Sequence, residues 1–88
     1  VKYIMFEWPG LDEVPLLFPN CISHDDVANI VHRTYPGVTP VSAGFCEVEA
    51  TADQDTVAYA FGNSTSLNLK PREVDARIIS RVFQQKRI

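Results

Sequence analysis

The sequence predicts one α+β domain over residues 1–88, an antiparallel four-stranded sheet with two helices packed on one face, in the order β-β-α-β-β-α. Three observations predict it: strand-type segments, two rich in aromatic and β-branched or apolar residues and two alternating, apolar recurrence at helical spacing in two others, and proline, glycine or polar breaks between them. At 88 residues, 45% of them apolar, the chain can bury one modest core and has no length for a second. That apolar fraction is ordinary for a globular protein and argues against wholesale disorder. No apolar run approaches the ~20 residues that cross a bilayer.

Lys2 to Trp8 is rich in aromatic and β-branched residues and is stopped by Pro9-Gly10. Ile4, Phe6 and Trp8 make one apolar face of this strand, Tyr3 and Met5 the other, so it belongs inside the sheet. Val14-Pro15-Leu16-Leu17-Phe18 pairs with it as a hairpin, and Pro15, which cannot donate to a ladder, places that second strand at an edge. Ser23 is a helix cap, Asp26 stands in the place of a capping-box acid, and Ile22 and Val27 are spaced for a hydrophobic staple. With Val27, Ile30 and Val31 at helical spacing and Tyr35-Pro36-Gly37 as the stop, a helix spans 24–34.

From Thr39 the pattern turns to strands. Val41, Ala43 and Phe45 point one way, Cys46, Val48 and Ala50 the other, and this flip beside Gly44 predicts a bulge or bend there. Residues 51–55 are a polar turn. Val57, Tyr59 and Phe61 start a strand whose odd phase runs on through Thr65, Leu67 and Leu69. A hairpin at Gly62-Asn63 would mismatch every pair, so one long strand bent at Gly62 is expected, with Ser64, Ser66 and Asn68 exposed as a polar face. Lys70-Pro71 opens the last helix with proline at its first position. Val74, Ile78, Ile79, Val82 and Phe83 form its buried stripe, and Glu73, Arg77 and Arg81 follow each other at i, i+4 spacing for ion pairing.

The residue types of an active centre are present without its spacing. Cys21, His24, His32 and Cys46 are the zinc-ligand types, but the histidines stand eight residues apart, more than two helical turns. Separately packed thiols and two surface histidines explain them better. A Cys46 nucleophile lacks an electropositive setting, His24-Asp25-Asp26 fits a helix start, and four glycines make no phosphate-cradling loop. The expectation is therefore no catalytic residue, no metal and no cofactor. The N-terminal run lacks a secretory pattern, since Glu7 and Pro9 interrupt it, and two cysteines are too few for a disulfide framework; reduced thiols in the cytoplasm follow.

Charge is the most informative feature. Residues 1–69 hold Lys2 and Arg33 against nine acids, a balance of −7, whereas residues 70–88 hold six bases against Glu73 and Asp75, a balance of +4. Arg72, Arg77, Arg81, Lys86 and Arg87 are the candidate contacts to a partner or to nucleic acid; the plainer reading is that they complement the acidic body and the helix dipole. The Ser64, Ser66, Asn68 strip is the second candidate surface, as an edge for an added strand or simply as a solvated face.

Phe18-Pro19, then Ile22-Ser23-His24-Asp25-Asp26-Val27-Ala28, Pro40-Val41-Ser42-Ala43-Gly44-Phe45, and Ser64-Thr65-Ser66-Leu67-Asn68-Leu69 with Arg72 and Asp75 following, resemble small uncharacterised proteins of bacteriophage and prophage genomes across nearly the whole chain. The resemblance brings no activity and no site residues. It implies a compact accessory protein that binds a host or phage protein, inhibitors of host defence being among that class. The expected function is a non-enzymatic interaction module, its acidic 1–69 portion meeting a basic site on an unidentified protein partner. The alternative is a nucleic-acid-contacting module that uses the basic C-terminal helix.

Overall fold

The computed structural model describes residues 1–50 and 56–85. The expected polar turn at 51–55, with Asp53 and Asp55, and the candidate contacts Lys86 and Arg87 lie outside the described residues. The elements are β1 (Lys2–Glu7), β2 (Val14–Phe18), α1 (His24–Thr34), β3 (Thr39–Ala50), β4 (Thr56–Phe61) and α2 (Glu73–Gln85). All four strands form one antiparallel sheet in the order β2-β1-β3-β4, which makes β1 internal and β2 an edge, as their residues predict. Trp8-Pro9-Gly10-Leu11 closes the first hairpin. The Leu11 amide donates to the Trp8 carbonyl at 3.1 Å, and Gly10 takes φ +74°, the positive value that a Pro-Gly turn of this kind requires.

The two helices lie on opposite faces of the sheet, not on one. Ile4, Phe6, Phe18, Val38 and Ala43 cluster with Val27 of α1; Tyr3, Met5, Cys46 and Ala58 cluster with Ile79 of α2. The cause is in β1 itself. Its residues 3–6 are apolar in both phases and 0–3% exposed, so neither face can be left to water.

The same division explains the apparent phase flip in β3. From Ser42 onward the alternation is regular: Ala43 and Phe45 face the α1 side, while Gly44, Cys46 and Val48 face α2. No bulge occurs at Gly44. The irregularity lies at Val41, the extra residue between the pairs Met5↔Ser42 and Phe6↔Pro40. Gly44 is needed for contact instead, since a Cβ there would lie 2.7 Å from the Phe61 carbonyl oxygen and 2.7 Å from Pro71 Cγ.

Helix α1 starts and stops where its caps predict. Ser23 is extended (φ −78°, ψ 150°), its Oγ accepts the Asp26 amide at 3.4 Å, and the Tyr35 amide donates to the Val31 carbonyl at 2.7 Å. Helix α2 starts at Glu73, two residues beyond Pro71. Its first turn is closed by a reciprocal pair: the Asp75 amide donates to the Arg72 carbonyl, and the Arg72 amide to Asp75 Oδ2, each at 3.0 Å.

The long bent strand over 57–69 does not form. β4 ends at Phe61, Gly62 takes φ +69°, and Ser64 and Leu69 face each other in an isolated bridge that closes a tight turn with Asn68 at φ 55°. Ser64 is buried, its Oγ accepting from the Leu67 amide at 3.3 Å. The turn wins because it carries Leu67 and Leu69 onto the α1-side core, where an extended run would have left them in water. Among the described residues, no helix is long and apolar enough to cross a membrane.

Candidate interaction face

Of the five basic candidates, Arg72 serves the fold. Its guanidinium grips both carboxylate oxygens of Glu13 and donates to Asp75 Oδ1 from Nε at 3.0 Å and Nη2 at 2.9 Å, with Ser42 Oγ at 3.1 Å from Nε. Asp75 is fully buried and also receives the Tyr3 hydroxyl at 2.6 Å. Burial opposes ionisation of Asp75, but the Arg72 amide, Tyr3, Ser42 and the guanidinium together hold the carboxyl below its usual range. Hydrogen bonding to Glu13 raises the Arg72 pKa further, against its desolvation. This cluster ties the start of α2 to the first hairpin, and it commits the Arg72 charge to two carboxylates rather than to a phosphate. Its signal in the sequence is the Arg72-x-x-Asp75 spacing at a helix start.

Arg77 and Arg81 are exposed, and the expected ion pairs with Glu73 do not form. The only ion pairs among the described residues are those of Arg72 with Glu13 and Asp75. Both free arginines line a groove of about 840 Å³ between α2 and the first hairpin, together with Trp8, Leu11, Val14 and Val74. Glu7 and Asp12 stand on its opposite wall.

The polar strip is not a strand face, so it offers no ladder: Ser64 is inside, while Ser66 and Asn68 are exposed on the turn. The cysteines and histidines are scattered. Cys21 is exposed and Cys46 buried, both as free thiols, and desolvation pushes the Cys46 thiol upward, away from a reactive thiolate. His32 is exposed, but His24 is buried rather than on the surface. Its Nε2 lies 2.9 Å from the Gly44 carbonyl oxygen, which can only accept, so this nitrogen carries a proton. The rings of Phe18 and Phe45 meet the imidazole edge-on at centroid distances of 5.4 and 5.9 Å. No group of three or more metal-ligating side chains is arranged to hold an ion among the described residues.

Among the described residues, one face of the β3–β4 ribbon remains uncovered. β3 has twelve residues against six in β1, and its ladder with β1 runs only from Thr39 to Phe45. Beyond that point β3 pairs with β4 and, through Cys46, with the backbone of Val1. α2 covers the side that carries Cys46, Val48, Ala58 and Ala60. Ser80 Oγ accepts the Ala58 amide at 2.9 Å and Gln84 Nε2 donates to the Thr56 carbonyl at 3.3 Å, stitching the helix to the strand's outer edge. α1 covers the other side only as far as Phe45.

The cross-strand pairs on the open side are Phe45↔Phe61, Glu47↔Tyr59 and Glu49↔Val57. Phe45 and Phe61 stack at 6.1 Å, while Tyr59 and Phe61 stand 50% and 48% exposed beside two exposed carboxylates that form no ion pair among the described residues. Covering the rest of either ring would stabilise a complex by about 2–3 kcal/mol, at ~100 Å² each and ~25 cal/mol per Å². Each surface ion pair to Glu47 or Glu49 would add about 0–1 kcal/mol. On these magnitudes the rings supply affinity and the carboxylates choose the partner's sign. The alternation of Glu47 and Glu49 with Cys46 and Val48, and of Val57, Tyr59 and Phe61 with alanines, was legible in the sequence; that α1 stops short of it was not. No protein-family model, curated protein or solved structure matches this chain, so the functional reading rests on its own residues.

Proposed function

We propose that this chain is a non-enzymatic protein-interaction module, and that the open β3–β4 face is the surface that meets a basic site on its partner. The observation that carries the reading is the pair of half-exposed rings, Tyr59 and Phe61, set beside Glu47 and Glu49. An arginine or lysine can lie on such rings by cation–π attraction while its head pairs with a carboxylate. The −7 balance of residues 1–69 extends the same preference over the body of the molecule. Following the resemblance to phage and prophage accessory proteins, the partner is a host or phage protein, and occupation of its basic site would block it. The free thiols of Cys21 and Cys46 favour a reducing compartment, the cytoplasm.

A nucleic-acid role for the C-terminal helix is the second reading, favoured by the absence of any ion pair at Arg77 and Arg81 among the described residues. With Arg72 engaged, two cations facing Glu7 and Asp12 make a thin phosphate site. Fluorescence anisotropy separates the two. A labelled peptide bearing alternating arginine and apolar residues should bind, and E47Q/E49Q should weaken it roughly tenfold, about 1.4 kcal/mol. A labelled DNA duplex or RNA strand should not bind at moderate salt. Salt-sensitive duplex binding that R77Q/R81Q abolishes, with no peptide binding, would reverse the assignment.

A further inference from the structure

We propose that a second copy of this chain is a partner of the β3–β4 face, docking head to tail through the arginines of α2; the proposal rests on the reading of that face given above and names an occupant for it. The helix wall of the groove and the acidic face are complementary in sign and spacing. Glu47 and Glu49 are two residues apart on a strand, about 6.6 Å along it. Arg77 and Arg81 are four apart on a helix, about 6 Å along it. All four are exposed, and none of them is ion-paired among the described residues.

Apolar groups accompany both sets. Tyr59 and Phe61 rise beside the carboxylates, while Leu11 and Val74, 69% and 37% exposed, lie in the groove beside the arginines. The groove, at about 840 Å³, is open enough to admit aromatic rings. Its far wall, with Glu7 and Asp12, repels an incoming acidic face and so directs the carboxylates to the helix wall.

The patches cannot meet within one molecule. The acidic face lies on the α1 side of the sheet, whereas Arg77 and Arg81 belong to the helix on the other side. A contact between unlike patches is heterologous. It repeats from copy to copy into a ring or an open chain rather than stopping at a two-fold dimer. The same arrangement makes assembly and capture of a basic partner compete for one surface.

Sedimentation of the full chain over a range of concentrations, at low and at moderate ionic strength, tests this. The mass should rise with concentration, and the association should weaken as salt screens the pairs. E47R/E49R and R77E/R81E should each be monomeric, because each sets like charges against like. Mixing the two variants should restore assembly, because the reversed patches are again complementary. The restoration also shows that both variants fold. Wild-type protein that stays monomeric throughout overturns the proposal. So does assembly indifferent to both reversals, or a mixture that stays monomeric while both variants keep their circular dichroism. If the wild type is monomeric yet binds the arginine peptide, self-pairing fails and the basic-partner reading stands. If the peptide also fails to bind, both fall.

Discussion

The Tyr3 hydroxyl donates a 2.6 Å hydrogen bond to Oδ2 of Asp75, joining the internal strand to the first turn of α2 across 72 residues of sequence. Both residues are completely buried. Tyr3→Phe keeps the ring and removes the donor, taking from that carboxylate oxygen one of its hydrogen bonds and leaving the Arg72 amide in place. The expected loss is about 1–3 kcal/mol, the range for a buried charged group that loses a hydrogen bond. An unchanged midpoint in chemical denaturation would show that this bond does not hold α2 to the sheet.

The same pair sets a stability plateau with two edges. Asp75 is held below its ordinary value in the folded chain, where its bonds to Arg72, Tyr3 and Ser42 outweigh burial. Its contribution is therefore present above the unfolded carboxyl value of about 3.9 and is lost as pH falls through the folded one. Burial first, and then the bond to Asp75, raise Tyr3 above its ordinary value. Its contribution is present below the unfolded phenol value of about 10 and is lost as pH rises past it. Stability measured against pH should fall below about pH 4 and above about pH 10, and the alkaline fall should shrink in Tyr3→Phe. An alkaline limb identical in that variant would contradict the assignment.

Gly44 tests the packing of the two layers. A methyl group there meets the Phe61 carbonyl and the Pro71 ring, both at 2.7 Å, and the backbone atom cannot step aside. Gly44→Ala should cost about 1–3 kcal/mol or more through overpacking. Gly37→Ala, whose new methyl meets only Pro9 Cγ at 3.3 Å, should stay within about 0.5 kcal/mol. Equal midpoints for the two variants in urea would mean that Pro71 and the end of β4 do not approach Gly44 this closely.

The elements with local causes were legible in the sequence. Ser23 and Asp26 mark the start of α1, Pro15 puts β2 at the edge, and the two apolar phases of β1 place it inside. What failed was tertiary. The apolar Tyr3 and Met5 on the second face of β1 already required a second layer, yet the helices were expected together on one side. Residues 62–69 carry strand alternation, but burial of Leu67 and Leu69 against the α1-side core overrides it. Arg72 reads as one cation among six until Glu13, 59 residues away, closes on it. The open ribbon face could not be foreseen because it depends on β3 outrunning both β1 and α1.

Ser23 offers a local test that is independent of these long-range contacts. Ser23→Ala removes the acceptor of the Asp26 amide and should cost about 0.5–2 kcal/mol. In a domain of this size each kcal/mol corresponds to about 4–8 °C of melting temperature. A melting curve superimposable on that of the wild type would show that this cap contributes nothing.

The most direct measurement of the central claim is an amide chemical-shift titration of isotopically labelled protein with the arginine-bearing peptide. Perturbations should concentrate on Phe45, Glu47, Glu49, Val57, Tyr59 and Phe61, the open side of the β3–β4 ribbon, and should collapse in E47Q/E49Q. Perturbations that instead track Arg77 and Arg81, or that leave the ribbon silent while the peptide binds elsewhere, would contradict the assignment of that face.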